Sequence, residues 1–82
     1  MEDTYVILTK PECSWCAKAK DLLTERGFAY VEFNIIEHPI LRDFLVANKL
    51  TTVPQVFIAG ERIGSYVALE IEMDIVNDDT SN

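Results

Sequence analysis

Cys13 and Cys16, in the stretch KPECSWCAKAK (10–20), are the two cysteines of an 82-residue chain. Two thiols so spaced can close a structural disulfide, supply half of a zinc site, or open and close a disulfide in exchange with another molecule. A bridge between residues three apart closes a tiny loop and removes little unfolded-state entropy. Structural zinc takes four N or S ligands; this chain has no third cysteine and one histidine, His38. An intramolecular metal cage is excluded, an intermolecular one is not, and no resident metal is expected. His38, just before Pro39, reads as a surface or capping residue. The redox dithiol remains: one thiolate attacks a disulfide sulfur, and the second thiol resolves the mixed disulfide.

That chemistry needs a place that favours S⁻ over SH, and the flanking elements supply one. TYVILT (4–9) is β-branched and aromatic, stops before Pro11, and reads as a buried strand. From Ser14 to Arg26, Trp15, Ala19, Leu22 and Leu23 recur at helical spacing, and Gly27 follows as a stop. Cys13 therefore falls where the strand ends and the helix begins. A helix N-terminus presents unpaired N–H groups and about half a positive charge. Cysteines so placed have pKa values of roughly 3.5–7.5, against about 8.5 for a free thiol. Lys10, Lys18 and Lys20 lie near in sequence and add screened positive charge. Cys16, a turn further in, is expected to be more buried and to stay protonated longer. Cys13 is then the attacking residue and Cys16 the resolving one.

The rest of the chain reads as one domain, 1–82, with a polar end over 77–82 expected to fray. FAYVEFNI (28–35) alternates well enough for a second strand. HPILRDFLVANKL (38–50) starts a helix at Pro39 and is expected to carry Leu41, Phe44, Leu45 and Val46 inward. PQVFIAGERIG gives a strand, a turn at Ala59-Gly60 and a second strand. LEIEMDI (69–75) alternates as a strand does, but on a helical wheel Glu70, Asp74, Asn77 and Asp78 share one face, and after a finished hairpin a helix is favoured. The order is β-α-β-α-β-β-α: an α/β domain whose first two strands are parallel, whose hairpin is antiparallel, and whose helices cover both faces of a four-stranded sheet.

Hydrophobic residues make up 49% of the chain, enough for one core, and 7 Lys+Arg against 14 Asp+Glu leave a net charge of −7. Nucleic acid and anionic membrane surfaces are poor partners for such a chain. No apolar run approaches the ~20 residues that span a bilayer, and MEDTYVILTKP has no basic region of a secretory leader. A cytoplasmic, monomeric protein is expected.

Taken together, KPECSWC before the first helix, TTVPQVFIAG after the second, and Gly60 to Gly64 make the chain resemble a glutaredoxin over roughly residues 4 to 76. The resemblance implies a thioredoxin-like fold with Pro54 cis and facing the cysteines, and a thiol–disulfide oxidoreductase that spends glutathione on protein disulfides and glutathione mixed disulfides, with ribonucleotide reductase as a client. By the same resemblance Lys10 and Arg42 serve the glycine carboxylate of glutathione; the alternative for Arg42 is a solvated charge. Thr52, Val53 and Pro54 border its cysteine moiety, and the N–H groups after Gly64, at Tyr66 and Val67, meet its γ-glutamyl carboxylate.

Three departures qualify what the resemblance implies. Ser14 stands where the family usually has proline, and frees an N–H and a hydroxyl. Trp15 replaces the usual tyrosine and forms an apolar rim for glutathione or packs on a neighbouring loop. GSYVALE puts Ser65, Val67 and Ala68 where many members have glycine and polar side chains, which weakens the hold on glutathione. Two alternatives follow: a redoxin recharged by thioredoxin reductase, and a carrier in which two chains and two glutathiones ligate a [2Fe–2S] cluster through Cys13.

Overall fold

The computed structural model describes residues 4–81, with side chains described over 4–75. β1 (Tyr5–Thr9) takes up the apolar run ahead of Pro11 and is buried at every residue but Val6. It holds an inner place in a four-stranded sheet of order β2-β1-β3-β4. β2 (Tyr30–Asn34) lies parallel to β1, Tyr5 opposite Tyr30; β3 (Gln55–Ile58) lies antiparallel on the other side, Tyr5 opposite Ile58. β4 (Glu61–Gly64) closes the hairpin across Ala59 and Gly60, whose φ values of 53° and 80° are the pair a two-residue type I′ turn needs.

Three helices complete the order predicted from sequence: α1 (Ser14–Glu25), α2 (Pro39–Ala47) and α3 (Tyr66–Ser81). The last segment is a helix, as favoured. The expectation of a frayed end over 77–82 concerns residues whose side chains lie outside the described residues, and at 82 the backbone as well. α1 ends on Gly27 at φ 80°, with Gly27 N–H donating to Thr24 and Phe28 N–H to Leu23; this paired closure satisfies carbonyls the helix leaves open.

Strand alternation sorts the layers. Tyr5, Ile7 and Val56 face α1 and α3 and pack with Ala19, Leu22, Leu23, Leu69 and Met73 into the main core. The opposite face carries Val6 and Phe57, and Phe44 of α2 meets Phe57 with ring centroids 5.9 Å apart. α2 covers that face less completely than expected. Leu45 is buried, but Phe44 is 41% exposed and Val46 69% exposed, so Val46 does not point inward. A helix step of about 100° separates Val46 from Leu45; both line the groove described next, Leu45 from the buried side and Val46 at its exposed edge.

Candidate active site

Cys13 is the N-cap of α1. Its backbone is extended, at φ −110° and ψ 106°, and its sulfur accepts the backbone N–H of Cys16 at 3.1 Å. A helix leaves its first N–H groups without intrahelical partners, and a serine or aspartate oxygen commonly takes one of them. Here a sulfur does so. The first turn of α1 carries no acidic side chain, so the positive end of the helix dipole is left to that sulfur. Both effects favour the thiolate of a reduced Cys13. Cys13 and Cys16 are joined as a disulfide in this structure, Cα–Cα 5.2 Å. Cys16 is 2% exposed, whereas Cys13 is half-buried and reachable.

Opposite the sulfur runs the TTVP segment, with Val53-Pro54 cis as the resemblance implied. The Val53 carbonyl oxygen lies 3.8 Å from Cys13 Sγ. Gln55 anchors the segment from beneath: it is 4% exposed, and its Nε2 donates to the Thr52 carbonyl at 2.9 Å. A buried amide demands partners, and this one finds its partner in the loop that faces the cysteines.

Between these parts lies a groove of about 800 Å³, lined by Lys10, Cys13, Trp15, Arg42, Thr52 and Val53 together with Lys49, Glu12, Val46 and their neighbours. That volume is within the roughly 300–1,000 Å³ of small-molecule sites. Past Trp15, Thr52 and Val53 a smaller hollow of about 200 Å³ continues to Pro54, Ser65, Tyr66 and Val67. Trp15 stands between the two, 51% exposed, its ring 5.5 Å from Tyr66 and under the Lys18 ammonium at 4.6 Å. Trp15 thus lines both spaces, and its ring contact is with Tyr66 at the start of a helix rather than with a loop. Lys20 turns away from the cysteines and pairs with Glu32 at 3.1 Å.

α3 begins at the far wall. Ser65 carbonyl accepts Leu69 N–H at 2.9 Å, which leaves the amides of Tyr66 and Val67 ahead of the first helical bond. Gly64 lines neither hollow. It is buried at φ 125°, and a Cβ there would stand 3.1 Å from Ala68 Cβ, so it lets β4 turn closely into α3. Every other predicted site residue except the buried Cys16 lines one of the two spaces. Lys49 and Gln55 escaped the sequence reading. A lysine just past a helix end carries no sign of where it points, and a glutamine after proline reads as an ordinary strand start.

The groove gathers three cations and one acid, Glu12, in a chain of strongly negative charge. It suits an anionic, peptide-sized ligand presenting a sulfur to Cys13. Among the described residues no group of three or more His, Cys, Asp or Glu can hold a metal ion, and the His38 ring packs edge-on to Phe33 at 5.4 Å. Nor is any helix of the described residues long and apolar enough to cross a membrane.

Known proteins match this arrangement. The glutaredoxin family model matches residues 5–63. Glutaredoxin 3 of Escherichia coli is 37% identical over 59 residues, 71% of each chain. A hybrid peroxiredoxin of Haemophilus influenzae, hyPrx5, is 39% identical over 70 residues, 85% of this chain but 29% of that protein, so the chain spans less than a third of its length. The crystal structure of a buckwheat glutaredoxin–glutathione complex superposes with a TM-score of 0.73 at 27% identity, covering 88% of this chain and 70% of that one.

Proposed function

The chain belongs to the glutaredoxin family of thiol–disulfide oxidoreductases, and on that footing we propose that it draws its electrons from glutathione and spends them on protein disulfides and glutathione mixed disulfides. The observation that carries this reading is the placement of one reachable sulfur, capping α1, at the mouth of a groove lined by Lys10, Arg42 and Lys49. Glutathione is a tripeptide with two carboxylates. Its glycine carboxylate pairs with Lys10 and Arg42, its cysteine lies along Thr52 and Val53 beside Pro54, and its γ-glutamyl carboxylate meets the Tyr66 and Val67 amides at the start of α3. That a buckwheat glutaredoxin of similar fold is seen in complex with glutathione supports glutathione as the ligand.

The exchange runs in four balanced steps. Cys13 thiolate attacks one sulfur of the substrate disulfide, and the other sulfur leaves as a thiolate that takes a proton. Cys16, giving up its proton, attacks the Cys13 sulfur, releases the second substrate thiolate and closes the Cys13–Cys16 disulfide. A glutathione thiolate then attacks Cys13, frees Cys16 and leaves a Cys13–glutathione bond. A second glutathione thiolate attacks the bound glutathione sulfur and restores Cys13 with oxidised glutathione as product. Two electrons pass from two glutathiones to one disulfide.

Reduction of the mixed disulfide of glutathione and 2-mercaptoethanol, coupled through glutathione reductase, is the direct assay. Wild-type turnover well above that of Cys13→Ser is expected, and equal rates would defeat the reading. Cys16→Ser should keep turnover of the glutathione mixed disulfide and lose reduction of intramolecular protein disulfides. Equal loss of both would contradict the roles assigned to the two sulfurs.

A second reading changes only the electron source. The side chain of Val67 in the smaller hollow is apolar and Ala68 adds no polar group, so neither adds a polar side chain to the hold of the backbone amides on the γ-glutamyl end. A redoxin recharged by thioredoxin reductase needs no such grip. NADPH oxidation with thioredoxin reductase in the absence of glutathione separates the two; the glutathione reading expects none.

A further inference from the structure

α3 carries an apolar line that faces away from its own core. Leu69 and Met73 are fully buried, whereas Ile71, two residues from each and so about 200° round the helix, is 57% exposed. Val67 and Ile75, one turn before and after Ile71, are 57% and 55% exposed. A surface helix ordinarily turns polar residues to that side. A single exposed isoleucine needs no explanation, but three in file make a continuous patch. Exposed Glu70 and Asp74 flank it, Asp74 shared at 3.6 Å with Arg26.

The line starts at the site. Val67 also lines the hollow that holds Trp15, Val53, Pro54 and Tyr66, and from there the file runs about 12 Å along α3, at about 1.5 Å per residue. Glutathione reaches no further along it than Val67. An extended tripeptide spans only about 10 Å and is used up between the cations of the groove and the first amides of α3. A permanent second copy is also a poor fit, because three side chains fall far short of the roughly 20–30 residues per side of a stable interface. A partner that comes and goes fits both the small area and the continuity with the exchanging sulfur.

We propose that Val67, Ile71 and Ile75 form the docking face for the protein half of the substrate: a disulfide-bearing protein that sets an apolar segment beside its cystine, with basic residues opposite Glu70 and Asp74. The proposal rests on the thiol–disulfide reading of Cys13 but not on the identity of the reductant.

The test uses prereduced protein in single turnover, so no reductant enters. Two synthetic peptides of equal length each hold an intramolecular disulfide, flanked in one by leucine and lysine and in the other by serine and glutamate. Wild type should be oxidised by the leucine–lysine peptide about five- to tenfold faster, the scale expected if a short peptide covers roughly half of the area that the two isoleucines expose. Ile71→Gln/Ile75→Gln, which keeps good helix formers at both places, should lose that preference. It should still react with the mixed disulfide of glutathione and 2-mercaptoethanol within about twofold of wild type, since that ligand ends short of Ile71. Equal rates of wild type with the two peptides, or a double variant that keeps the preference, would overturn the docking face. A double variant slowed equally on the small disulfide would overturn it as well, because the two isoleucines would then be supporting the site. Failure of wild type on the small disulfide strikes instead at the reading of Cys13, so the two failures are told apart.

Discussion

Replacing Lys49 by glycine should make this protein more stable and a poorer user of glutathione. Lys49 sits just past α2 at φ 58°, the position where a helix end of this kind normally places glycine. Its N–H donates to Val46 at 3.0 Å and that of Leu50 to Leu45 at 2.9 Å, so the closure is complete and the left-handed residue is built into it. An L-residue there costs roughly 1–2 kcal/mol, against roughly 0.5–1 kcal/mol for the extra freedom glycine has in the unfolded chain. The net gain for Lys49→Gly is about 0.5–1 kcal/mol, which for a domain of this size is a rise in Tm of roughly 2–8 °C. The lysine also lines the groove with Lys10 and Arg42. Loss of one exposed charge is worth about 0.2–1 kcal/mol, so KM for glutathione should rise roughly 1.5- to 5-fold with kcat little changed. Lys49→Gln separates the two effects: it removes the charge and keeps the left-handed backbone, so KM should rise and Tm should not. Thermal unfolding and steady-state rates at low and high salt read both, the KM difference shrinking as salt screens the groove. A glycine variant no more stable than wild type, or a glutamine variant with unchanged KM at low salt, would refute the reasoning.

Gly64→Ala should cost about 1–3 kcal/mol, because alanine must adopt φ 125° and its Cβ would crowd Ala68; Gly60→Ala, with nothing within 4 Å of the added Cβ, should cost less, and urea unfolding that ranks them the other way would count against this. Glu32 is held below its ordinary pKa chiefly by the buried Thr9 hydroxyl, which donates to it at 2.7 Å, with Lys20 adding to the effect and partial burial opposing it. Since its folded pKa is the lower one, its stabilisation is full above the ordinary carboxylate pKa and is lost as pH falls through the folded value. Glu32→Gln should therefore be about 0.5–1 kcal/mol less stable at neutral pH, after allowing for screening of this exposed group, with the difference closing in acid; a gap that persists in acid would show that charge is not its source. Gln55→Leu removes the anchor on the Thr52 carbonyl, and should raise KM for glutathione while leaving the alkylation rate of Cys13 unchanged; a slower alkylation would place Gln55 in the activation of the sulfur instead.

The order of elements was legible because each carries its own period: Ala19, Leu22 and Leu23 at helical spacing, alternation through the strands, and Ala59-Gly60 where both φ values are positive. Cys13 at the start of α1 was legible from the strand that stops before Pro11 and the helix that follows. Its sulfur taking the Cys16 amide was not, since any residue at the junction gives the same pattern. Val46 was misread because apolar side chains in a helix are assumed to face the core, whereas this one faces the groove. Lys49 was invisible because nothing in a lysine announces a left-handed backbone. The doubtful segment LEIEMDI is the most instructive. It alternates like a strand because α3 is apolar on two opposite sides, Leu69 and Met73 toward the core and Ile71 and Ile75 away from it. The ambiguity in the sequence and the exposed file on the structure are one fact.

Cys16 is sealed at 2% exposure, so every exchange with an outside molecule must pass through Cys13. On the proposed reading two kinds of molecule reach that sulfur: a small anionic reductant and a disulfide-bearing protein. A chain with a net charge of −7 repels the first at long range, and Lys10, Arg42 and Lys49 reverse the sign of the field only locally, inside the groove. The acids of α3 lie on the other side, beside the apolar file. On that reading the two ligands are drawn to Cys13 by opposite chemistries on its two flanks, and they overlap only at Val67, whose amide serves the first and whose side chain serves the second. Because the resolving sulfur touches neither, its attack depends only on the bond at Cys13, and the choice of what is reduced lies wholly in the side chains around that one atom.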